Sequence, residues 1–442
     1  MPIAVPRLSM SKTPPIAAAM VARNCELRDY AKVPVPPVKV KQQVIAYCSP
    51  DSTYAVTKRL IDAAKKSILI GIYDFSAAHM VELIEAALQR GVKVKLMLDI
   101  DNDRERQLFE ELGDLGVEGV PAPSCASKRA RFFASSHEKV IVIDGEWSLV
   151  QSGNYSSNSI PLNVKDGGDP ANFRTGNRDT GLAICSKPLA KFFTKILESD
   201  MALELAGPSA LAMAKEAAEA EAAFLVEMAP RKIPDKLFPS KSFKFKTPLR
   251  IEPVLSPDNY MDLVPGKLRA ARKSVLIQQQ YVRSSQTNIV VLLDAIKAAR
   301  EEAGDLDIRI ILGKIFDRSD LPKERENLKR LEDEYGLKLG PNIRYIDTSR
   351  LVHCHNKMVL VDGKGVLVSS QNWSHSAVTK NREAGLWLSH KSICTYFTGI
   401  FETDWKTARQ TLEAPPAAMM MPKEAMKAGG FVRVERADYE EV

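Results

Sequence analysis

One stretch of this chain occurs twice, and that repetition constrains its fold more than any other feature. Ser136-His137-Glu138-Lys139 leads through the apolar run Val140–Ile143 to Asp144, and Gln151-Ser152-Gly153-Asn154 follows. The second version reads His355-Asn356-Lys357, Met358–Val361, Asp362, then Ser369-Ser370-Gln371-Asn372. His137 to Asn154 is 17 positions, and so is His355 to Asn372. Side chains at i and i+2 of a strand face the same way, so each His–Lys pair projects together. An imidazole beside an ammonium is a poor core contact and a good grip on an anion.

Other landmarks return in the same order. Ser49-Pro50-Asp51 is echoed by Ser256-Pro257-Asp258, and Lys65–Ile70 by Arg272–Ile277, both 207 residues later. Asn177-Arg178-Asp179 returns as Asn381-Arg382-Glu383, and the segment ending in Asp200 as one ending in Asp404. A duplication into two lobes follows. The histidine motifs recur at an offset of 218, so the second copy carries about 11 extra residues, which the charged segment Asp317–Glu334 accommodates best.

Apolar spacing predicts a helix over 51–66, a buried strand over 67–73, a helix over 78–90 and a strand over 92–98. Strand–helix–strand with apolar strands calls for an α/β fold: two similar lobes, each a mixed sheet flanked by helices, related by a pseudo-two-fold axis. The boundaries expected are a flexible tail at 1–43, a first lobe at 44–206, a helix and linker at 207–248, a second lobe at 249–412 and a tail at 413–442. Ala- and Glu-rich Pro208–Glu227 reads as helix. Lys241–Lys246 alternates lysines with aromatics and reads as an exposed edge strand, with base stacking as the other use of that pattern.

A net charge of +7 over 442 residues suits an anionic partner without requiring one. The six cysteines form no C-x-x-C pair, which argues against a zinc site or a disulfide scaffold and for reduced thiols in the cytoplasm. No apolar run is long enough for a transmembrane helix, and the N-terminus lacks a secretory signal's apolar core. Peripheral association with an anionic membrane surface remains open, through Lys128-Arg129-Ala130-Arg131-Phe132-Phe133. Phe132 and Phe133 would stack on a base or dip into lipid. A monomer is expected.

Phosphodiester cleavage needs a nucleophile, an acid for the leaving oxygen, and cations for the non-bridging oxygens. His137, His355, Lys139, Lys357, Asn154 and Asn372 supply all three if the lobes converge. Asp179 and Glu383 are placed to accept an Nδ1–H and orient the histidines. Ser152 and Ser370 read as oxygen-binding donors, since no nucleophile elbow surrounds them. Asp144 and Asp362, each followed by Gly, suit a turn as well as catalysis. His353, His375 and His390 lack counterparts in the first copy and default to surface or core. His353 and His355 flank Cys354 like a metal pair, but the first copy offers no such pair, so neither metal nor cofactor is expected.

These residues resemble the phospholipase D superfamily, whose hallmark is a duplicated His-x-Lys-x4-Asp-x6-Gly-Ser-x-Asn. Both copies fit its spacing over roughly 44–405, with Gln151 and Ser369 standing where the family has Gly. The resemblance implies a catalytic set of His137, His355, Lys139, Lys357, Asp144 and Asp362. Ser152, Asn154, Ser370 and Asn372 would bind the phosphate. It further implies a metal-independent, two-step reaction through a phosphohistidine, with His137 the nucleophile and His355 the general acid. The substrate would be a phospholipid phosphodiester, hydrolysed or passed to another alcohol; the alternative is nucleic acid, cleaved at the same site.

Overall fold

The computed structural model describes residues 25–162, 176–207, 224–227, 238–413 and 431–434. In the first copy, β2 (Gln43–Ser49) leads into α1 (Thr53–Asp62), β3 (Ser67–Ile72), α2 (Ala78–Gln89), β4 (Lys93–Leu98), α3 (Asp103–Asp114) and β5 (Glu118–Pro121). The motif strand β6 (Lys139–Ile143), β7 (Trp147–Gln151), β8 (Asp179–Cys185) and helix α4 (Lys187–Leu205) complete it. The second copy repeats this as β11 (Leu249–Ser256), α5 (Tyr260–Arg269), β12 (Ser274–Gln279), α6 (Thr287–Ala303), β13 (Asp307–Leu312), α7 (Leu321–Tyr335) and β14 (Ile343–Tyr345). It closes with β15 (Met358–Val361), β16 (Gly365–Ser369), the short α8 (His375–Thr379), β17 (Glu383–Leu388) and α9 (Lys391–Thr407).

Each copy builds one eight-stranded mixed sheet, in which β3, β4 and β5, or β12, β13 and β14, run parallel and the other pairs are antiparallel. Sheets covered on both faces need apolar residues at every position, and the motif strand shows it. Val140 and Val142 join a central core shared by both lobes, while Ile141 and Ile143 join the first lobe's outer core under α1 and α2. The central core is filled by Phe193 and Leu197 of α4 and by Phe397 and Phe401 of α9. The two C-terminal helices are therefore the packing between the sheets.

The expected tail at 1–43 is corrected where it is described. Val38–Val40 forms β1, which pairs with β11, so the segment before the first copy edges the second sheet. Reciprocally, β10 (Lys241–Lys244) pairs with β2 and edges the first sheet, as read for that lysine-rich segment. The helix expected over Pro208–Glu227 lies partly outside the described residues, and its last part is instead a strand, β9 (Phe224–Glu227). That strand pairs with β18 (Phe431–Val434), inside the expected tail at 413–442. The extra residues of the second copy are only partly in the charged segment. Seven arise earlier, five in the longer α6 and two in the loop before it: the offset between copies grows from 207 at Ser67 and Ser274 to 214 at Lys93 and Asp307. The reduced-thiol reading is corrected too. Cys25 and Cys125 form a disulfide with Cα atoms 5.7 Å apart, across 100 residues that local spacing could not connect.

Two buried arginines clasp the lobes. Arg382 forks onto Asp200 of the opposite lobe at 2.8 and 2.9 Å and reaches Asp258 of its own lobe at 2.5 Å. Arg178 forks onto Asp404 at 2.8 and 3.0 Å and reaches Asp51 at 3.0 Å. The landmarks that repeat in sequence are thus the parts of two equivalent clasps. Removing a guanidinium leaves two carboxylates buried and unpaired, which costs about 3–5 kcal/mol. Arg178→Ala and Arg382→Ala should each lose that much in urea unfolding. Lysine should not restore it, because it cannot fork. A loss under about 1 kcal/mol would show that the clasps do not hold the lobes together.

Candidate active site

The segment before each motif strand pairs with the other lobe. His137 N–H donates to Arg382 O at 2.8 Å and Arg382 N–H to Ser135 O at 2.8 Å. His355 N–H donates to Arg178 O at 3.1 Å and Arg178 N–H to His353 O at 2.8 Å. The clasp arginines therefore fix, through their own backbone, where each histidine stands.

This crossing decides which acid orients which histidine. Spacing places Asp179 downstream of His137 and Glu383 downstream of His355, yet the pairs are exchanged. His137 Nδ1 lies 3.0 and 2.9 Å from the Glu383 oxygens, and His355 Nδ1 lies 3.0 Å from Asp179 Oδ1. A nitrogen lone pair would repel a carboxylate at that distance, so a proton lies between each pair. With Nδ1–H so engaged, both Nε2 atoms are left to attack phosphorus or to carry the transferable proton. His355 Nε2 is buried and meets no hydrogen-bond partner among the described residues.

The serines correct the expectation of phosphate donors. Ser152 Oγ donates to Asp179 at 2.8 Å and accepts Thr180 N–H at 3.0 Å. Ser370 Oγ accepts Ala384 N–H at 3.0 Å and is hydrogen-bonded to Glu383. Each serine holds an acid of its own lobe, and that acid holds the other lobe's histidine. Gly153 is required here: a Cβ would come within 2.6 Å of Asp179 Oδ2. Gln151 and Ser369, the two departures from the family pattern, are satisfied internally. Gln151 bonds Tyr47 and Gly153 O at 3.1 and 2.8 Å, and Ser369 donates to Lys357 O at 2.9 Å.

Lys139 and Lys357 each donate to the carbonyl of the histidine two residues before, at 2.6 Å. Burial pulls the Lys139 ammonium down to about 7, against Glu383, which raises it. Asn154 Nδ2, a donor, is buried without a partner among the described residues and is free to meet an anion, and the acceptors Asn154 Oδ1 and Asn372 Oδ1 are likewise unmet there. Burial holds His137 well below the usual histidine range, with Lys139 and Lys357 adding to it, and pulls His355 down to about 4. The acids differ. His355 and neighbouring donors hold Asp179 below its usual value against burial, whereas burial pushes Glu383 up to about 8.

Asp144 and Asp362 are corrected: they stand at the far ends of the motif strands, away from the histidines. Each occupies a left-handed position, φ 54° and 56°, of an Asp-Gly turn. The Asp144 carboxylate accepts the backbone N–H groups of Lys65, Lys66 and Ser67, and that of Asp362 those of Arg272, Lys273 and Ser274. They lock the turn to the start of the neighbouring strand.

Residues that sequence reasoning passed over complete the surroundings. Asp99 accepts Ser136 N–H at 2.7 Å and so braces the first motif. Asn356 takes the Thr180 hydroxyl at 2.7 Å and donates to Gln278, which donates to Asp404 of a clasp, both at 2.8 Å. At the matching place in the first lobe stands Glu138, buried and bonded to Ser136 Oγ at 3.0 Å. The signal for this difference was the Glu/Asn exchange between otherwise matched motifs.

A family model described as "Cardiolipin synthase, PLD-like domain" matches residues 57–201 and 266–405. The DISARM protein DrmC of Bacillus paralicheniformis is 30% identical over 122 residues, 26% of this chain and 48% of that protein. The chain thus spans about half the length of this curated relative. The solved phosphatidylserine synthase of Haemophilus influenzae shares the fold, with a TM-score of 0.53 at 14% identity, over 89% of this chain and 94% of that one. Nuc of Salmonella typhimurium, a phospholipase D family member, gives a TM-score of 0.30 at 20% identity, over 38% of this chain and 96% of that one.

Glu138 yields a test of the site's electrostatics. Burial, helped by Asp200, pushes its carboxyl up to about 7 from 4.5. A group that binds its proton more tightly when folded gives stability that is full below pH 4.5 and lost as pH rises through about 7. Glu138→Gln, an amide like that of Asn356, removes this dependence. Glu383 contributes with the same sign in both proteins and cancels in the difference. The variant should gain roughly 1–3 kcal/mol over the parent between pH 5 and pH 8. Parallel stability profiles for the two would show that Glu138 does not titrate in this window.

Proposed function

Because the chain belongs to the phospholipase D-like family, we propose that it is a phosphodiesterase working in two steps through a phosphohistidine on a phospholipid. The observation that carries this is the exchanged pair of dyads, His137–Glu383 and His355–Asp179, each built from both lobes. In the first step the His137 Nε2 lone pair attacks phosphorus. The bond to the leaving alcohol breaks, and that oxygen takes the proton of His355 Nε2. In the second, water or another alcohol attacks phosphorus, loses its proton to His355, and the P–N bond breaks. Lys139, Lys357, Asn154 and Asn372 hold the non-bridging oxygens throughout.

Assignment of the nucleophile to His137 rests on family resemblance and gains support from the acids. An anionic Asp179 beside His355 favours an imidazolium there, as an acid needs, while the Glu383 carboxyl is pushed up to about 8. Burial keeps both imidazoles neutral at rest. A bound phosphodiester anion offsets the lysine charges and lifts His355 toward its charged form.

The lipid reading is supported by the match to a domain model described for cardiolipin synthase, and the aromatics beside the basic runs, mostly packed, favour neither base stacking nor insertion into lipid. Phe133 is fully buried against Tyr30 and Arg382, which corrects its reading as a base or lipid contact. Phe243 is buried, and Phe245 packs against His390. Lys128 and Arg131 stay exposed and would attract an anionic surface. Among the described residues no helix is long and apolar enough to cross a membrane, so contact with lipid would be peripheral.

His137→Asn and His355→Asn should each abolish turnover of phosphatidylglycerol or phosphatidylcholine vesicles, and EDTA should leave the parent active. His355→Asn should retain a p-nitrophenol burst from an activated diester, because p-nitrophenolate leaves with little protonation. His137→Asn should show none. Cleavage of single-stranded DNA with vesicles untouched would overturn the lipid assignment. Activity lost in EDTA and restored by a divalent ion would overturn the metal-independent mechanism.

A further inference from the structure

His353 reads from sequence as a surface or core residue, and the reaction above makes no use of it. It is 2% exposed and sits two residues before His355 on the second motif segment. Its Nδ1 accepts the Lys314 backbone N–H at 3.0 Å. A ring nitrogen that accepts from an amide carries no proton, so the neutral ring bears its hydrogen on Nε2. Burial, with His355 and Lys357 close by, keeps the ring neutral. Nε2 is buried and meets no partner among the described residues, an arrangement that folded proteins tolerate where the group has a use.

The two neighbouring imidazoles therefore hold opposite tautomers. His355 presents a proton-exchanging Nε2, whereas His353 presents a fixed N–H. Their ring centres lie 6.5 Å apart, a spacing that two hydrogen bonds to neighbouring oxygens of one small alcohol can span. The chain makes room for this ring. Gly313 follows β13, and a Cβ there would collide with His353 Cε1, while Phe316 packs edge-on against the ring at 4.8 Å. In the first lobe Asp99 follows β4 instead and binds Ser135 Oγ at 3.2 Å, so that side offers no matching donor.

We propose that His353 determines specificity for the leaving alcohol: its Nε2–H binds an oxygen on the carbon next to the scissile ester, as in a polyol. This rests on the phosphodiesterase reading and on His355 serving the leaving group. The alcohol preferred is one with vicinal oxygens, such as glycerol.

The test compares kcat/KM for phosphatidylglycerol and phosphatidylpropanol, with bis(p-nitrophenyl) phosphate as the measure of an intact site. The parent should prefer the glycerol ester roughly tenfold, the worth of one well-formed hydrogen bond. His353→Asn keeps an acceptor for Lys314 N–H, but its amide N–H falls short of the Nε2 position, so the ratio should fall to near one. His353→Gln carries an amide N–H toward the Nε2 position and should recover part of the preference. In nitrogen-15 spectra of histidine-labelled parent protein, His353 should carry its proton on Nε2, a result that needs no variant to fold. No preference in the parent, an unchanged ratio in a cooperatively melting His353→Asn, or a proton on Nδ1 would each overturn the proposal. If neither lipid turns over while bis(p-nitrophenyl) phosphate does, the phospholipid reading fails instead. Glyceryl and propyl esters of thymidine 3′-phosphate then put the same question to His353.

Discussion

Four backbone hydrogen bonds hold the rest of this structure in place: His137 and Ser135 to Arg382, and His355 and His353 to Arg178. They join each histidine segment to the opposite lobe's Asn-Arg-acid segment. One short pairing thereby fixes three things at once. It sets the position of the imidazole, the acid that orients it, and the entry of an arginine into a pair of buried carboxylates. None of these groups could be buried singly, since an isolated charge in the interior costs far more than a packed domain can offset. Arg382, Asp200 and Asp258 are all under 6% exposed, and so are Lys139 and Lys357. The polar interior is tolerable because the buried arginines and histidines meet carboxylates across the lobe boundary.

The burial that makes this interface demanding also shapes its chemistry. Desolvation acts on both imidazoles and both acids, but their neighbours differ. Asp179 is held by Ser152 and His355, while Glu383 is left with its carboxyl pushed up. Two dyads of equivalent geometry thus differ in charge preference, which is the separation that one nucleophile and one acid require. The lysines take part in the same balance, each anchored to a motif carbonyl while its charge adds to the burial that keeps the histidines neutral.

Much of this was legible in the sequence because the repeat preserves geometry. The strands from 67 and 93 and the helices around 53 and 78 follow from apolar spacing alone, since both sheet faces and one stripe of each helix are buried. The histidines, lysines, asparagines and acids were found because each is matched at equal spacing. What spacing cannot carry is partnership across lobes. Offsets of 28 and 42 residues place each acid with its own lobe's histidine, and only the folded crossing reverses that. The serines were misread for a related reason, as a hydroxyl beside a phosphate site and one behind it look alike in one dimension. Asp144 and Asp362 were ambiguous between turn and catalyst until their backbone partners were seen. The disulfide joins residues 100 apart, and His353 has no counterpart to draw attention to it.

The contacts between the lobes are isologous: residue i of one meets residue j of the other, and j meets i. Separate identical subunits with such an interface must change both copies of every residue together, so no side chain on one half can be improved at the expense of its twin. Joining the copies in one chain removes that constraint. Asp179 and Glu383, Asn356 and Glu138, and His353 and Ser135 each occupy matched places and have diverged. A homodimer of identical chains could not hold such differences. The strands β1 and β10, each lent to the other copy's sheet, keep that pair in register while its two faces evolve apart.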